Sequence, residues 1–249
     1  MLLTAFLLFG VEIHYRQADG APAPSRADGR VAYALPDRGT VTYGRSVEGR
    51  PLRAWRIGDP GARRSVVLLA AMHGDEPAPT RILRTLHRGP QIGGVDLWVV
   101  PVVNPDGLAA GTRQNARGVD LNRNFAESWV RQTGEKDSGP SAASEPETQA
   151  LSRFLRRVGP DRVVSYHQPL YGVDTYEAKQ PAFTRRVARA LDLPLRSFDC
   201  RGGCHGTLTQ WFNARQEGVA LTVEYGRRMT RGAVARAADG VVAAVGGTR

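Results

Sequence analysis

A chain of 249 residues is long enough for one domain with a substantial core, and its 41% hydrophobic and 23% charged content excludes a disordered or fibrous class. The formal net charge of +10 is carried almost wholly by arginine, since Lys136 and Lys179 are the only lysines. That balance reads either as a solvated, arginine-biased surface or as attraction to an anionic partner. No zinc-finger, RNA-recognition or basic amphipathic pattern accompanies it, so a nucleic-acid partner is not expected.

Residues 1–11 form an apolar run too short to span a bilayer, so no stable membrane span is expected. The run is similar to the apolar region of a secretion signal, although no basic residue precedes it and Ala21-Pro22-Ala23 is a poor cleavage site. Residues 17–30 are rich in Pro, Ala and Gly and read as a linker. The expected organisation is an apolar segment plus linker over 1–36, then a single domain over 37–249; export to the cell envelope or beyond is expected, with a cytoplasmic location as the alternative.

Within that domain, residues 40–43 and 52–57 flank Gly-containing turns and read as an antiparallel strand pair. The runs 65–72 and 95–103 are continuously apolar, as are 162–166 and 219–225, which is the pattern of strands buried on both faces. Helical spacing lies between them, at 79–86, 145–158, 181–191, 206–215 and 233–245. Ser144 reads as the cap of the second of these helices. Strands alternating with helices define an α/β fold, a single domain with a mixed, mainly parallel central sheet flanked by helices.

The rare polar groups sit where the apolar runs stop. His73 follows the run ending at Met72, Asn104 follows the run ending at Val103, His167 follows Tyr166, and Glu224 lies at the end of the last run. Open α/β sheets bind ligands outside the carboxyl ends of their strands. A hydrolytic zinc site wants three protein ligands and one open position, and two His with one Glu is a standard set. His73-Gly74-Asp75-Glu76 offers an imidazole and a carboxylate on one bend, which Gly74 is expected to permit, and His167 offers a second imidazole from another strand. Taken singly, each of these residues is as readily a surface or structural group. Segment 111–125 gathers Arg113, Arg117 and Arg123, whose planar forks suit carboxylates and oxyanions. Cys200 and Cys204 are spaced to close a small loop; a disulfide is expected, with free thiols as the alternative.

Several motifs in order carry a family resemblance. They are His73-Gly-Asp-Glu76, Asn104-Pro-Asp-Gly107, Thr112-Arg-Gln-Asn115, Asp120-Leu-Asn-Arg-Asn-Phe125, Ser144-Glu-Pro-Glu-Thr148, His167-Gln-Pro169 and Thr222-Val-Glu-Tyr225. Together they resemble the zinc metallocarboxypeptidases of the carboxypeptidase A type, nearest to the bacterial branch that cuts murein peptides. The resemblance implies one Zn²⁺ on His73, Glu76 and His167, with Glu224 as general base and Arg113 stabilising the oxyanion. It also implies that Asn122 and Arg123 grip a substrate carboxylate and that the sheet has about eight strands. The implied partner is a murein-derived peptide, cut at its γ-D-glutamyl–diaminopimelate bond. Two other readings stay open: a carboxypeptidase acting on α-linked peptides, and a non-catalytic wall- or polyanion-binding module. Digestive members carry a mobile Tyr between the third ligand and the catalytic Glu. Here Tyr171, Tyr176 and His205 are the candidates for that role, and Asp174 is a candidate for meeting a distant ammonium group.

Overall fold

The computed structural model describes residues 39–176, 178–200 and 204–249, so the expected segment 1–36 lies outside the described residues. Eight strands form one mixed sheet: β1 (Gly39–Arg45), β2 (Pro51–Arg56), β3 (Ser65–Ala70), β4 (Asp96–Val100), β5 (Arg162–His167), β6 (Gly172–Asp174), β7 (Leu195–Arg196) and β8 (Val219–Glu224). Their order across the sheet is β1-β2-β4-β3-β5-β8-β6-β7. The centre, β4-β3-β5-β8, is parallel throughout. Antiparallel pairs join β1 to β2, β2 to β4 and β6 to β8, while β7 runs parallel to β6.

The helices are α1 (Thr80–Arg88), α2 (Pro105–Ala110), α3 (Pro146–Val158), α4 (Pro181–Leu191), α5 (Leu208–Arg215) and α6 (Arg231–Val245). One face of the sheet presents Val66, Leu68, Leu97, Val99, Val164, Leu221 and Val223 to the apolar sides of α1, α4 and α6. On the other face Phe154 of α3 stacks on Tyr43 and meets Trp98 edge-on, while Trp211 of α5 packs against Phe125. Cover on both faces explains why the central strands are apolar without alternation. Among the described residues no helix is long and apolar enough to cross a membrane.

Several boundaries differ from expectation, each for a local reason. The run 65–72 stops being strand at Ala70, because Ala71 adopts a left-handed φ of 49° and turns the chain toward the site. β4 ends at Val100, before Pro101, which has no N–H to give a ladder. Asn104-Pro-Asp-Gly opens α2: the Asn104 side chain accepts from Gly107 N at 2.8 Å, and Pro105 occupies the first turn. The cap of α3 is Glu145, not Ser144, whose hydroxyl donates instead to Glu145 Oε1.

Candidate active site

Neighbouring strand ends bring the predicted residues together. His167 and Glu224 are register partners at the ends of β5 and β8, and Ala70 of β3 pairs with Tyr166. The segment after β3 then carries His73 and Glu76 over that edge. Gly74 does not have a left-handed φ. Its constraint is space, since a Cβ there would overlap the backbone of Gly107 at the start of α2. The expected bend is present, closed by Glu76 N donating to His73 O at 3.3 Å, and glycine is required in it by the backbone-to-backbone packing of two strand-end loops.

Among the described residues, His73, Glu76 and His167 form the group whose ligand atoms converge closely enough for a metal, all within 4.8 Å of one another. The two Nδ1 atoms stand 3.3 Å apart. Tetrahedral zinc with nitrogen ligands at about 2.0–2.1 Å spans about 3.3–3.4 Å along such an edge. Glu76 adds one oxygen 2.7 Å from His73 Nδ1 and the other 3.0 Å from His167 Nδ1. The outer ring nitrogens are held too: His73 Nε2 lies 3.1 Å from Asp120 Oδ1 and His167 Nε2 lies 2.9 Å from the Ser165 hydroxyl. Such outer contacts fix which ring nitrogen faces a metal. All three candidate ligand side chains are buried, and the donor set fits zinc.

Electrostatics agree with a site built for a cation. Burial would raise Glu76, but the imidazoles of His167 and His73 hold it well below the usual carboxylate range. Burial would lower His73, yet Asp120 and Glu76 raise it to about 9. Burial pushes Glu224 above its ordinary value, with the Glu76 carboxylate adding to the rise and His167 opposing it. Glu224 accepts a hydrogen bond from Leu170 N at 3.2 Å.

Asp120 organises the rest. Its Oδ2 accepts from Arg113 Nε at 2.9 Å and Nη2 at 2.7 Å, leaving Arg113 Nη1 beside the candidate ligands, 3.3 Å from His73 Nδ1 and 3.8 Å from Glu76 Oε1. Its Oδ1 caps the short turn Leu121–Arg123 by accepting from Asn122 N. That turn delivers Asn122, whose side-chain oxygen accepts from Leu208 N, and the buried Arg123. Burial lowers Arg123, Asp120 offsets this only in part, and Arg113 repels it. Arg123 is thus a cation in want of an anion. From sequence, Asp120 stands only as part of a motif without a role of its own, and nothing marks Ser165. The signal for Asp120 lay in its place, one carboxylate between two arginines.

A cavity of about 520 Å³ is lined by His73, Glu76, His167, Arg113, Asn122, Arg123 and Glu224. Cys200 and Cys204 also line it and are joined in a disulfide, with Arg123 Nη2 donating to Cys200 Sγ at 3.5 Å. Asp174 and Tyr176 face this cavity; Tyr171 and His205 are absent from its lining.

Residues 30–176 match the model of the zinc carboxypeptidase family, and the chain belongs to that family. It is a metallopeptidase by descent, a hydrolase of peptide bonds. Glu224 falls beyond the matched segment. Among curated relatives, murein peptide amidase A of Escherichia coli (strain K12) is 37% identical over 171 residues, covering 63% of this chain and 69% of the relative. Murein peptide amidase A of Vibrio campbellii is 31% identical over 198 residues, covering 74% and 78%. The crystal structure of murein-tripeptide amidase MpaA from Escherichia coli O157 superposes with a TM-score of 0.67 at 30% identity, over 85% of this chain and 91% of that one. Bovine thrombin-activatable fibrinolysis inhibitor shares the fold, with a TM-score of 0.67 at 19% identity over 84% of this chain and 88% of that one.

Proposed function

We propose that this protein is a zinc-dependent amidase that hydrolyses a murein peptide at the γ-D-glutamyl–diaminopimelate bond. The observation that carries the reading is one cavity holding a His₂Glu donor set, a separate buried carboxylate, and two arginines placed differently around them. The names of the relatives support the murein substrate. The disulfide supports an exported location.

His73, Glu76 and His167 would hold the metal. Bound zinc supplies Lewis acidity, which polarises a carbonyl and makes water acidic near neutral pH. Glu224 takes a proton from the attacking water onto a carboxylate oxygen and returns it to the leaving amine. Its raised pKa makes it the stronger base once ionised. Arg113, clamped by Asp120, donates N–H to the oxygen that gains charge; one such donor contributes on the order of 2.7–4 kcal/mol in comparable sites. Arg123 and Asn122 receive a carboxylate of the diaminopimelate leaving group, which fixes the scissile bond against Glu224.

The test is digestion of a murein tripeptide with zinc-loaded protein. Release of free diaminopimelate is expected. Cleavage confined to C-terminal residues of α-linked peptides would make the protein a plain carboxypeptidase, and no cleavage with zinc bound would leave only a binding module.

A further inference from the structure

The machinery above leaves Lys136, on the wall of the first cavity, and Arg227 unused. A second cavity of about 280 Å³ adjoins the first, and the two share Glu76, Arg113, Glu135, Gln168 and Pro169. Asn122, Arg123 and Glu224 line the first cavity only, whereas Asp75 and Arg227 line the second only. Glu76 and Arg113 therefore stand on the divide. If the leaving group's carboxylate sits on Arg123, the acyl half of the substrate extends past Arg113 into the second cavity.

Arg227 is exposed and makes no hydrogen bond or ion pair among the described residues. Its backbone is nonetheless fixed. Gln168 Nε2 donates to Gly226 O at 2.7 Å, while Gln168 Oε1 accepts from Ala78 N at 3.0 Å in the segment after Glu76. On the far side, Arg81 of α1 donates to Met229 O at 2.9 Å. The turn after β8 is thus tied at one end to the loops that carry the proposed metal ligands and at the other to α1. Asp75 and Glu135, on the same walls, repel a carboxylate elsewhere in this cavity, and Arg113 is already engaged by Asp120. Arg227 is the remaining cation there.

The chemistry of a γ-linked glutamyl residue matches this arrangement. Such a residue keeps a free α-carboxylate near the scissile carbonyl, where an α-linked peptide carries an uncharged amide. We propose that Arg227 is the specificity determinant of the acyl subsite: it binds the free α-carboxylate of the γ-linked glutamyl group and sets the preference for γ- over α-linked substrates. This rests on the amidase reading above.

The experiment compares two γ-linked tripeptides, one with the glutamyl α-carboxylate free and one with it converted to the primary amide. Zinc-loaded wild-type protein is expected to favour the free acid in kcat/KM by about tenfold, mainly through KM, the size of one charge-assisted hydrogen bond at a half-open site. In Arg227→Gln, checked for wild-type zinc content, that ratio is expected to fall to near one. Arg227→Lys restores part of it, and Arg228→Gln, which alters an exposed arginine lining neither cavity, keeps it. Equal rates on both peptides in the wild type, or an undiminished ratio in Arg227→Gln, overturn the role of Arg227 and leave the amidase reading standing. If the wild type cuts neither peptide, the amidase reading falls and Arg227 with it.

Discussion

Two carboxylates in this site differ in what surrounds them, and that difference separates the roles proposed for them. Glu76 is flanked by two imidazoles and held ionised, as the proposed metal ligand must be, while Glu224 is buried near the Glu76 carboxylate and made more basic. Glu224→Gln keeps the shape and removes the proton acceptor. The expected result is zinc retained at the wild-type ratio with kcat lower by on the order of 10²–10⁴-fold; wild-type turnover would remove Glu224 from the mechanism. Asp120 serves three neighbours at once, His73, Arg113 and the turn bearing Arg123. Asp120→Asn is therefore expected to weaken zinc retention by on the order of 10–100-fold against a competing chelator, and to lower kcat further at saturating zinc because Arg113 loses its anchor. An unchanged chelator titration would show that Asp120 does not orient His73.

At the level of elements, the long central strands were legible because burial on both faces forces continuous apolar runs, and α3 because its Glu-Pro-Glu start and Arg-Arg end suit the helix dipole. β6 and β7 were not, since three and two residues carry no periodicity and owe their extended form to pairing with β8 and with each other. α2 was hidden by Pro-Asp-Gly, which reads as a turn until the side chain of Asn104 is seen capping it. Its buried Asp106 joins α2 to the β1–β2 turn by accepting from Ser46 Oγ at 2.7 Å, Glu48 N at 3.0 Å and Arg50 Nη1 at 2.6 Å. Burial would raise this carboxyl, but those donors hold it below its ordinary 3.8. A depressed folded-state pKa contributes stability that is fully present above the unfolded value and is lost as pH falls through the folded one. Asp106→Asn is expected to lower stability at neutral pH by about 1–3 kcal/mol, with the gap to wild type closing below pH 3.8. Urea midpoints at neutral and acid pH measure this, and a gap independent of pH would contradict it.

Across the whole molecule, the site is made by topology rather than by any local segment. His73, His167 and Glu224 come from β-strand ends spread over more than half the chain, and they meet because β3, β5 and β8 are adjacent and parallel. Sequence could supply the residue types and their positions at the ends of apolar runs. It could not supply Asp120's contacts or the division into two cavities, which exist only once those strands lie side by side. The same assembly concentrates two nitrogens 3.3 Å apart and a carboxylate in a buried spot, so the folded chain offers a cation a binding place that the unfolded chain lacks. Zinc held there is expected to stabilise by mass action: at about a thousandfold excess over Kd the gain would be about 4 kcal/mol, which for a domain of this size would raise Tm by on the order of 10 °C. Stripping the protein with chelator should lower Tm by that amount, readdition of zinc should restore it, and His167→Ala should lose most of the zinc-dependent shift. A Tm indifferent to complete metal removal would mean that the fold stands ready without the ion and that no metal is held by these three residues in solution.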